Sequence, residues 1–479
     1  MKKSKVIQIL KSLTSLEMKS FGRYIEYKST SVNSKLLEFY DYLKEYHPKY
    51  SEKDIDKKAI SKRVFPKEAN GLKKINNLIF RIKPLLLDFI IQLELEEREV
   101  DREFLLLNGL KSKKLFKLFF REAEQLEKKW GETSEMGIER LFNLYKLKKM
   151  KMFHHGLFDE TGFSAQANVI MQQLEKYFFA EKLYGSLGDH FTGVFIKNQE
   201  IADEELTIPM EELIKQTERT HLAENKQIGL LAKIFNATAS NDFSKYEEIE
   251  LYFYENYTCF NNNEIKELVT YLAQICYKNH QQGNGNALND LFRINKFAAE
   301  QKMLLQNAII ASDSFHNVVN IALVVNELEW VKFFIDEYSP FLQESEKKDT
   351  ISLCKAKCHF YSNEFEEALK LLLTLKHLTS FYGLQARALL LQVYFEMEDC
   401  FEVFDNAINA FKLYLSRHKT IAPPHKESFY NFVKFVKRLY GYKFIKDKES
   451  LHRLQAEINA CSLIVNKVWL LNKITLFIK

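Results

Sequence analysis

Apolar residues recur along most of the chain at intervals of three and four positions, which is the spacing of one face of an α-helix. In residues 423–441 this spacing runs from an opening Pro-Pro pair to a closing glycine, residue types that begin and end helices. The same spacing predicts a last helical pair over residues 449–477. Gly and Pro, which tight turns between strands require, number only 15 and 7 in 479 residues. The pattern therefore predicts an all-α protein.

A longer period lies over the helical one. An aromatic residue follows a polar turn at Trp330, Phe365 and Phe401, with spacings of 35 and 36 residues. An apolar helical segment precedes each of these aromatic residues. A period in the mid-thirties with two helices per unit is typical of stacked helical hairpins, because each hairpin must bury its apolar faces against its neighbours. A further residue on the same helix face follows each aromatic after three positions: Phe333, Ala368 and Phe404.

Residues 313–415 resemble degenerate tetratricopeptide repeats (TPRs). Ala356 stands where the first helix of that motif has a small residue, and Phe365 and Ala368 occupy second-helix places. The departures from the motif predict packing that is looser or re-angled relative to the consensus superhelix. They are Ile321 and Gln392 at the small first-helix position, Phe404 at the second-helix alanine, and the lack of a closing proline at Ser380.

Several stretches also resemble an uncharacterised family of long bacterial proteins with TPR-like helices. Among them are "KLLEFYDYLKEYHPKY", "AISKRVFP", "EFEEALKLL" and "KVWLLNKI". The resemblance spans most of the chain, and none of its motifs is catalytic. It implies a right-handed superhelical α-solenoid of TPR-like hairpins, with a smaller basic helical region at the N-terminus.

Four regions are predicted along the chain. The middle of the chain lacks a clear period, although residues 131–153 read as one amphipathic helix and residues 164–188 as another. Residues 279–290, with two glycines, read as a loop. The regions are 1–100 (basic N-terminal helices), 101–312 (irregular helical hairpins), 313–415 (TPR-like repeats) and 416–479 (capping helices).

A basic helical hairpin is predicted within residues 55–83. Its first helix reaches about Val64 and its second begins near Gly71, and Pro84 is expected to kink or end the second helix. One face of the second helix is apolar (Leu72, Ile75, Ile79 and Ile82), and the opposite face carries Lys74, Asn77 and Arg81. Such a face is typical of a helix-turn-helix DNA reader and equally of any basic amphipathic hairpin.

Charge is distributed unevenly, although the net charge is only +5. Residues 1–120 hold 26 Lys and Arg against 16 Asp and Glu, residues 412–479 hold 14 against 4, and residues 121–411 hold 29 against 44. Two basic ends therefore flank an acidic middle, which is compatible with a homo-oligomer, with the attraction of a polyanion to the ends, or with solvated faces that simply differ in charge. Six cysteines without a paired framework, and an N-terminus without a signal-peptide pattern, predict a cytoplasmic protein.

Residues with catalytic or metal-binding spacing are scarce. Cys354, Cys358 and His359 come closest to a metal site but lie inside the first helix of a repeat, where small buried residues belong. The pair at residues 154 and 155 reads as two surface histidines. Acidic residues such as Glu94, Glu96, Glu97 and Glu99 read as solvated charge. The prediction is therefore a protein without enzymatic activity, cofactor or metal.

The predicted function is protein–protein interaction. The protein is expected to be a scaffold or adaptor whose solenoid groove binds a peptide or helix of a protein partner, with no membrane contact. From the TPR resemblance, the groove-facing polar residues are Asn326, Lys357, Tyr361 and Glu396. The alternative is a nucleic-acid-binding regulator that contacts DNA through Lys74, Asn77 and Arg81 and uses the helical array as a sensor or dimerisation domain.

Overall fold

Every regular element that the computed structural model describes is a helix, and no strand occurs in the described residues. The all-α prediction is confirmed. None of the described helices combines the length and the apolar character that crossing a bilayer demands. The chain divides into two compact units, residues 1–129 and 130–479. The structure describes residues 4–28, 34–51, 53, 55–66, 68, 70–132, 136–152, 160–193, 210–219, 221–376, 380–398, 400–417, 421–443 and 447–479.

The first unit is built around one apolar core. That core consists of buried side chains from the first five helices and the segments that join them, and it ends with Phe89. The predicted region boundary near residue 100 falls in the sixth helix, within this unit. The helices are α1 (Lys5–Ser12), α2 (Ser15–Lys28), α3 (Ser34–Glu45), α4 (Lys57–Val64), α5 (Gly71–Glu97), α6 (Glu99–Ser112) and α7 (Phe116–Glu132), the last of which crosses the unit boundary.

Helices α4 and α5 form the predicted hairpin, with α4 ending at Val64 and α5 beginning at Gly71 as predicted. Asp56 caps α4 by accepting hydrogen bonds from the backbone N–H groups of its first turn. Helix α5 does not end at Pro84 but continues to Glu97. Leu72 was expected in the apolar face and is exposed, because the buried row follows a different set of helical positions. That row is Ile75, Leu78, Ile82, Leu86 and Phe89.

The helices of the second unit mostly pack on their neighbours in the chain. The two helices predicted within residues 449–477 are confirmed as Lys448–Ala460 and Lys467–Ile478, the last two of this unit. Its helices are α8 (Glu139–Met152), α9 (Glu160–Gly193), α10 (Met210–Arg219), α11 (Lys226–Ser240), α12 (Tyr246–Asn256), α13 (Asn262–Gln281), α14 (Ala287–Glu300), α15 (Ser312–Val324), α16 (Leu328–Tyr338), α17 (Glu344–Tyr361), α18 (Phe365–Leu373), α19 (Ser380–Glu396), α20 (Phe401–Arg417), α21 (Pro423–Gly441), α22 (Lys448–Ala460) and α23 (Lys467–Ile478).

Residues 131–153 do not form the single helix that was predicted. Helix α7 ends at Glu132 and α8 begins at Glu139, with Gly137 between them in a left-handed conformation (φ 55°). A Cβ at Gly137 would collide with the carboxylate of Glu264, which accepts a hydrogen bond of 3.0 Å from the backbone N–H of Ile138. This long-range bond explains why local periodicity could not locate the break.

The hairpins α15–α16 and α17–α18 share one turn geometry. Asn326 follows α15 and Asn363 follows α17, with φ values of 64° and 60°. In both turns the next residue donates its backbone N–H to the carbonyl five residues earlier, from Glu327 to Ala322 and from Glu364 to His359. This is the Schellman arrangement, in which a left-handed residue closes the end of a helix. The two turn asparagines thus repeat after 37 residues (363 − 326), close to the predicted spacings of 35 and 36.

Helices α15 to α21 fall into two sets by their contacts. The first helices pack on one another in order, α15 on α17, α17 on α19 and α19 on α21. The second helices, α16, α18 and α20, pack on the first helices that precede and follow them. Helix α21 then buries the whole predicted apolar row of Phe429, Phe432, Val433, Val436 and Tyr440. The first helices therefore form a continuous layer.

Candidate functional site

A buried lysine connects three successive first helices. Lys357 lies in α17 with only 8% of its surface exposed. Its ammonium donates hydrogen bonds to the side-chain amide oxygens of Asn320 in α15 (2.7 Å) and Gln385 in α19 (2.8 Å). We call these three residues the polar ladder. Both acceptors are neutral, so they bind the ammonium without cancelling its charge.

The charge state of Lys357 is set by its burial. Desolvation lowers the pKa of this lysine from 10.5 to about 8, since the charged form is disfavoured away from water. Desolvation likewise lowers the pKa of His316 to about 3, with a further contribution from the positive charge of Lys357. His316 is therefore neutral at physiological pH, and of the two residues Lys357 is the one that carries a charge.

His316 packs beside the ladder without access to solvent. Its ring stacks on Tyr382 with centroids 4.0 Å apart, and its Nδ1 lies 3.2 Å from the Cys354 Sγ. A Cys–His pair at this distance can activate a thiol in enzymes. Here burial raises the pKa of the Cys354 thiol to about 12, so the nucleophilic thiolate is disfavoured. The pair therefore acts in packing.

Tyr361 and Asn326, both predicted to face the groove, lie at the ends of first helices. Tyr361 is the last residue of α17 and is half-exposed. Asn326 is exposed and forms the left-handed turn after α15. Val324 and Tyr361 precede the two turn asparagines by two residues each, and both are exposed. We call Val324 and Tyr361 the apolar row, because they occupy equivalent positions in successive hairpins.

Glu396, the fourth predicted residue, is bound by the chain's own C-terminal helix. Its carboxylate accepts hydrogen bonds from the Trp469 Nε1 (3.1 Å) and the Lys473 Nζ (2.6 Å) of α23. A partner would reach Glu396 or Lys357 only by displacing these internal hydrogen bonds. Among the four predicted residues, Tyr361 and Asn326 are thus the ones exposed to solvent.

The three residues of the alternative nucleic-acid surface are all exposed on α5. The Lys74 ammonium forms an ion pair with Glu68 and lies 5.5 Å from the centre of the Phe65 ring. Asn77 and Arg81 follow it on the same side of the helix, away from the buried row. The structure therefore brings the predicted basic face together, with one of its charges already paired.

The other residues considered as catalytic or metal-binding candidates are paired or buried within the fold. His359 pairs with Glu364, and both Cys354 and Cys358 are buried. No cluster of three or more metal-ligating side chains occurs within the described residues. Residues 154 and 155 lie outside the described residues. A cavity of about 690 Å³ between α8, α9 and α11 is lined by charges of both signs, among them Arg140 and Glu175.

Comparisons with family models, curated proteins and solved structures gave no match. The TPR resemblance therefore stays a prediction, and the functional argument depends on the geometry of the chain itself.

Proposed function

We propose that the protein is a non-enzymatic interaction scaffold that binds a peptide or helix of a protein partner along its first helices. The apolar row carries this proposal. Val324 and Tyr361 are exposed at equivalent places in successive hairpins, so a linear apolar ligand would meet the same kind of contact once per repeat. Isolated exposed apolar residues are common on proteins, whereas a repeat-matched pair is what a linear partner requires.

The polar ladder, which is buried beneath this surface, also supports the proposal. Lys357 is bonded to one residue on each neighbouring first helix. These bonds set the spacing between successive apolar contacts, since a shift of one helix would break a bond to a buried ammonium. In this proposal the hairpins continue as a right-handed superhelix, and the ladder residues position the surface without contacting the partner.

Site-specific photocrosslinking tests the proposal. A photoreactive phenylalanine analogue replaces Tyr361 in the full chain, expressed in the cells from which the protein comes. We expect a discrete protein adduct at Tyr361 that weakens when Val324 is replaced by Ser. The matched control places the same analogue at Leu373, an exposed apolar residue that ends the second helix α18. Equal adducts at both positions, or none at Tyr361, would contradict the scaffold proposal.

A nucleic-acid-binding regulator is the second candidate, favoured by the exposed face of Lys74, Asn77 and Arg81. It is tested by measuring how the affinity for duplex DNA changes with salt concentration, with fluorescence anisotropy as the readout. Each phosphate contact contributes about one unit to the slope of log affinity against log salt. Replacing Lys74 and Arg81 with Ala should then lower that slope by about two. DNA binding that is absent, or unchanged in this variant, would exclude the candidate.

A further inference from the structure

Helix α5 has a second apolar face that lies in solvent. Phe80 exposes 80% of its surface, and Leu87 and Ile91 are about half exposed. With the exposed Pro84 they follow one another at steps of four, three and four residues, which keeps them on one side of the helix. We call these four residues the α5 stripe. It lies opposite the buried row that begins at Ile75, so α5 is apolar on two faces.

Charge changes sign along the same helix. The half of α5 up to Pro84 carries only basic residues and the half after it only acidic ones. This order opposes the helix macrodipole, which favours acidic side chains at the N-terminus and basic ones at the C-terminus. This order of charges therefore does not stabilise α5 as an isolated helix. The basic residues are Lys73, Lys74, Arg81 and Lys83, and the acidic ones are Asp88, Glu94, Glu96 and Glu97.

We propose that α5 pairs antiparallel with α5 of a second copy of this chain. In that orientation the basic half of each helix faces the acidic half of the other, and the two macrodipoles align favourably. A parallel pair would place like charges together. The stripe supplies the apolar seam, because steps of three and four residues match the spacing of a two-helix contact. A two-fold axis near the middle of the stripe sets Phe80 against Ile91 of the second copy and Pro84 against its Leu87.

Within the described part of the chain, several charged residues of α5 form no ion pair and can serve this contact. Lys74 pairs with Glu68, and Asp88 pairs with Lys28. Among the described residues, by contrast, Arg81 and Lys83 form no ion pair on the basic half, nor do Glu96 and Glu97 on the acidic half. Glu94 has only a 3.4 Å contact with Arg98 at the end of the helix. Arg81 and Lys83 lie beside the first half of the stripe and Glu97 follows its last residue, so an antiparallel partner brings the basic half of one helix near the acidic half of the other.

Sedimentation equilibrium of the full chain tests the pairing. We expect the wild type to form dimers with a dissociation constant of about 100 μM or lower. Phe80→Gln should raise this dissociation constant at least about tenfold. The matched control is Leu16→Gln, which removes an exposed apolar residue of similar size from α2 and should leave the dimer unchanged. A monomeric wild type, or a dimer indifferent to Phe80→Gln, would overturn the proposal and leave the stripe to a different occupant. Circular dichroism of each variant checks that the helices remain folded.

Charge reversal tests the orientation. Arg81→Glu with Lys83→Glu brings the basic half to a net charge of zero, and Glu94→Lys with Glu97→Lys does the same for the acidic half. Each double variant should weaken the dimer by about tenfold or more, because a neutral half no longer attracts the charged half of its partner. An equimolar mixture of the two double variants should restore part of the dimerisation, since the unchanged acidic half of one chain then faces the unchanged basic half of the other. A mixture that dimerises no better than either double variant alone would overturn the antiparallel arrangement.

Discussion

Lys357 is a positively charged residue that the fold buries between neutral acceptors, and its stability contribution depends on pH. Below pH 8 the folded and unfolded states both hold the proton, so the folded state bears the full cost of burying the charge. Between pH 8 and 10.5 the unfolded state binds the proton and the folded state does not. Stability therefore rises with pH across this window.

The variant Lys357→Met removes this dependence. We expect the free energy of unfolding of the wild type, relative to the variant, to increase by about 2 kcal/mol from pH 7 to pH 10. Urea unfolding of both proteins at the two pH values measures the difference. Lys355→Met, which replaces an exposed lysine of the same helix, should show no such change. An equal pH response in the two variants would show that Lys357 is not buried in its charged form.

The turns after α15 and α17 depend on single asparagines. Asn326 and Asn363 have φ values near 60°, which most L-residues adopt only at a cost of about 1–2 kcal/mol. We expect Asn→Ala at either position to lower the free energy of unfolding by about 1 kcal/mol, while Asn→Gly leaves it unchanged or slightly higher. Chemical denaturation of the four single variants provides the measurement.

Asn317 provides a control in which the order reverses. It is exposed within the right-handed helix α15, where Ala is favoured over Gly by about 1 kcal/mol. Asn317→Ala should therefore be the more stable variant of that pair. If Ala were also preferred at Asn326 and Asn363, the left-handed turn would not be the feature that the two hairpins share.

Elements of this chain were predictable where local signals determine them, whereas the internal contacts of Lys357 and Glu396 were not. Helix α21 and the hairpin α4–α5 follow from apolar spacing, proline and glycine, all of which act within a few residues. Lys357 reads locally as one more surface lysine. Only the packing of three helices brings Asn320 and Gln385 to its ammonium. Glu396 is similar, because the helix that binds it lies 70 residues or more along the chain.

Apolar periodicity identified the buried side of α5 through Ile75 and Ile82 but misjudged Leu72. Leu72 lies at the margin of the buried row, between it and a second apolar face about half a turn away. Sequence spacing alone does not fix where the buried face ends. The observed burial assigns Ile75 to the core and leaves Leu72 and Phe80 in solvent, which is what makes the α5 stripe visible as a separate surface.

At the scale of the whole molecule, the first unit has a core that is complete within α1 to α5. Its buried apolar residues run from Val6 to Phe89, and none comes from α6 or α7. Helix α5 contributes a full row to it, including Ile75, Ile82 and Phe89. A fragment of residues 1–98 therefore contains every side chain of this core, in a size range where single domains fold alone.

We expect the fragment 1–98 to unfold cooperatively on heating, as followed by helical circular dichroism, because its apolar core is intact. A shorter fragment, 1–64, lacks α5 and leaves the buried faces of α2 and α3 uncovered, so it should show no cooperative transition. Residues 1–132, which include all of α7, complete the series. If only that longest fragment unfolded cooperatively, α6 and α7 would be required for folding, and the domain boundary would lie near residue 129 rather than near residue 100.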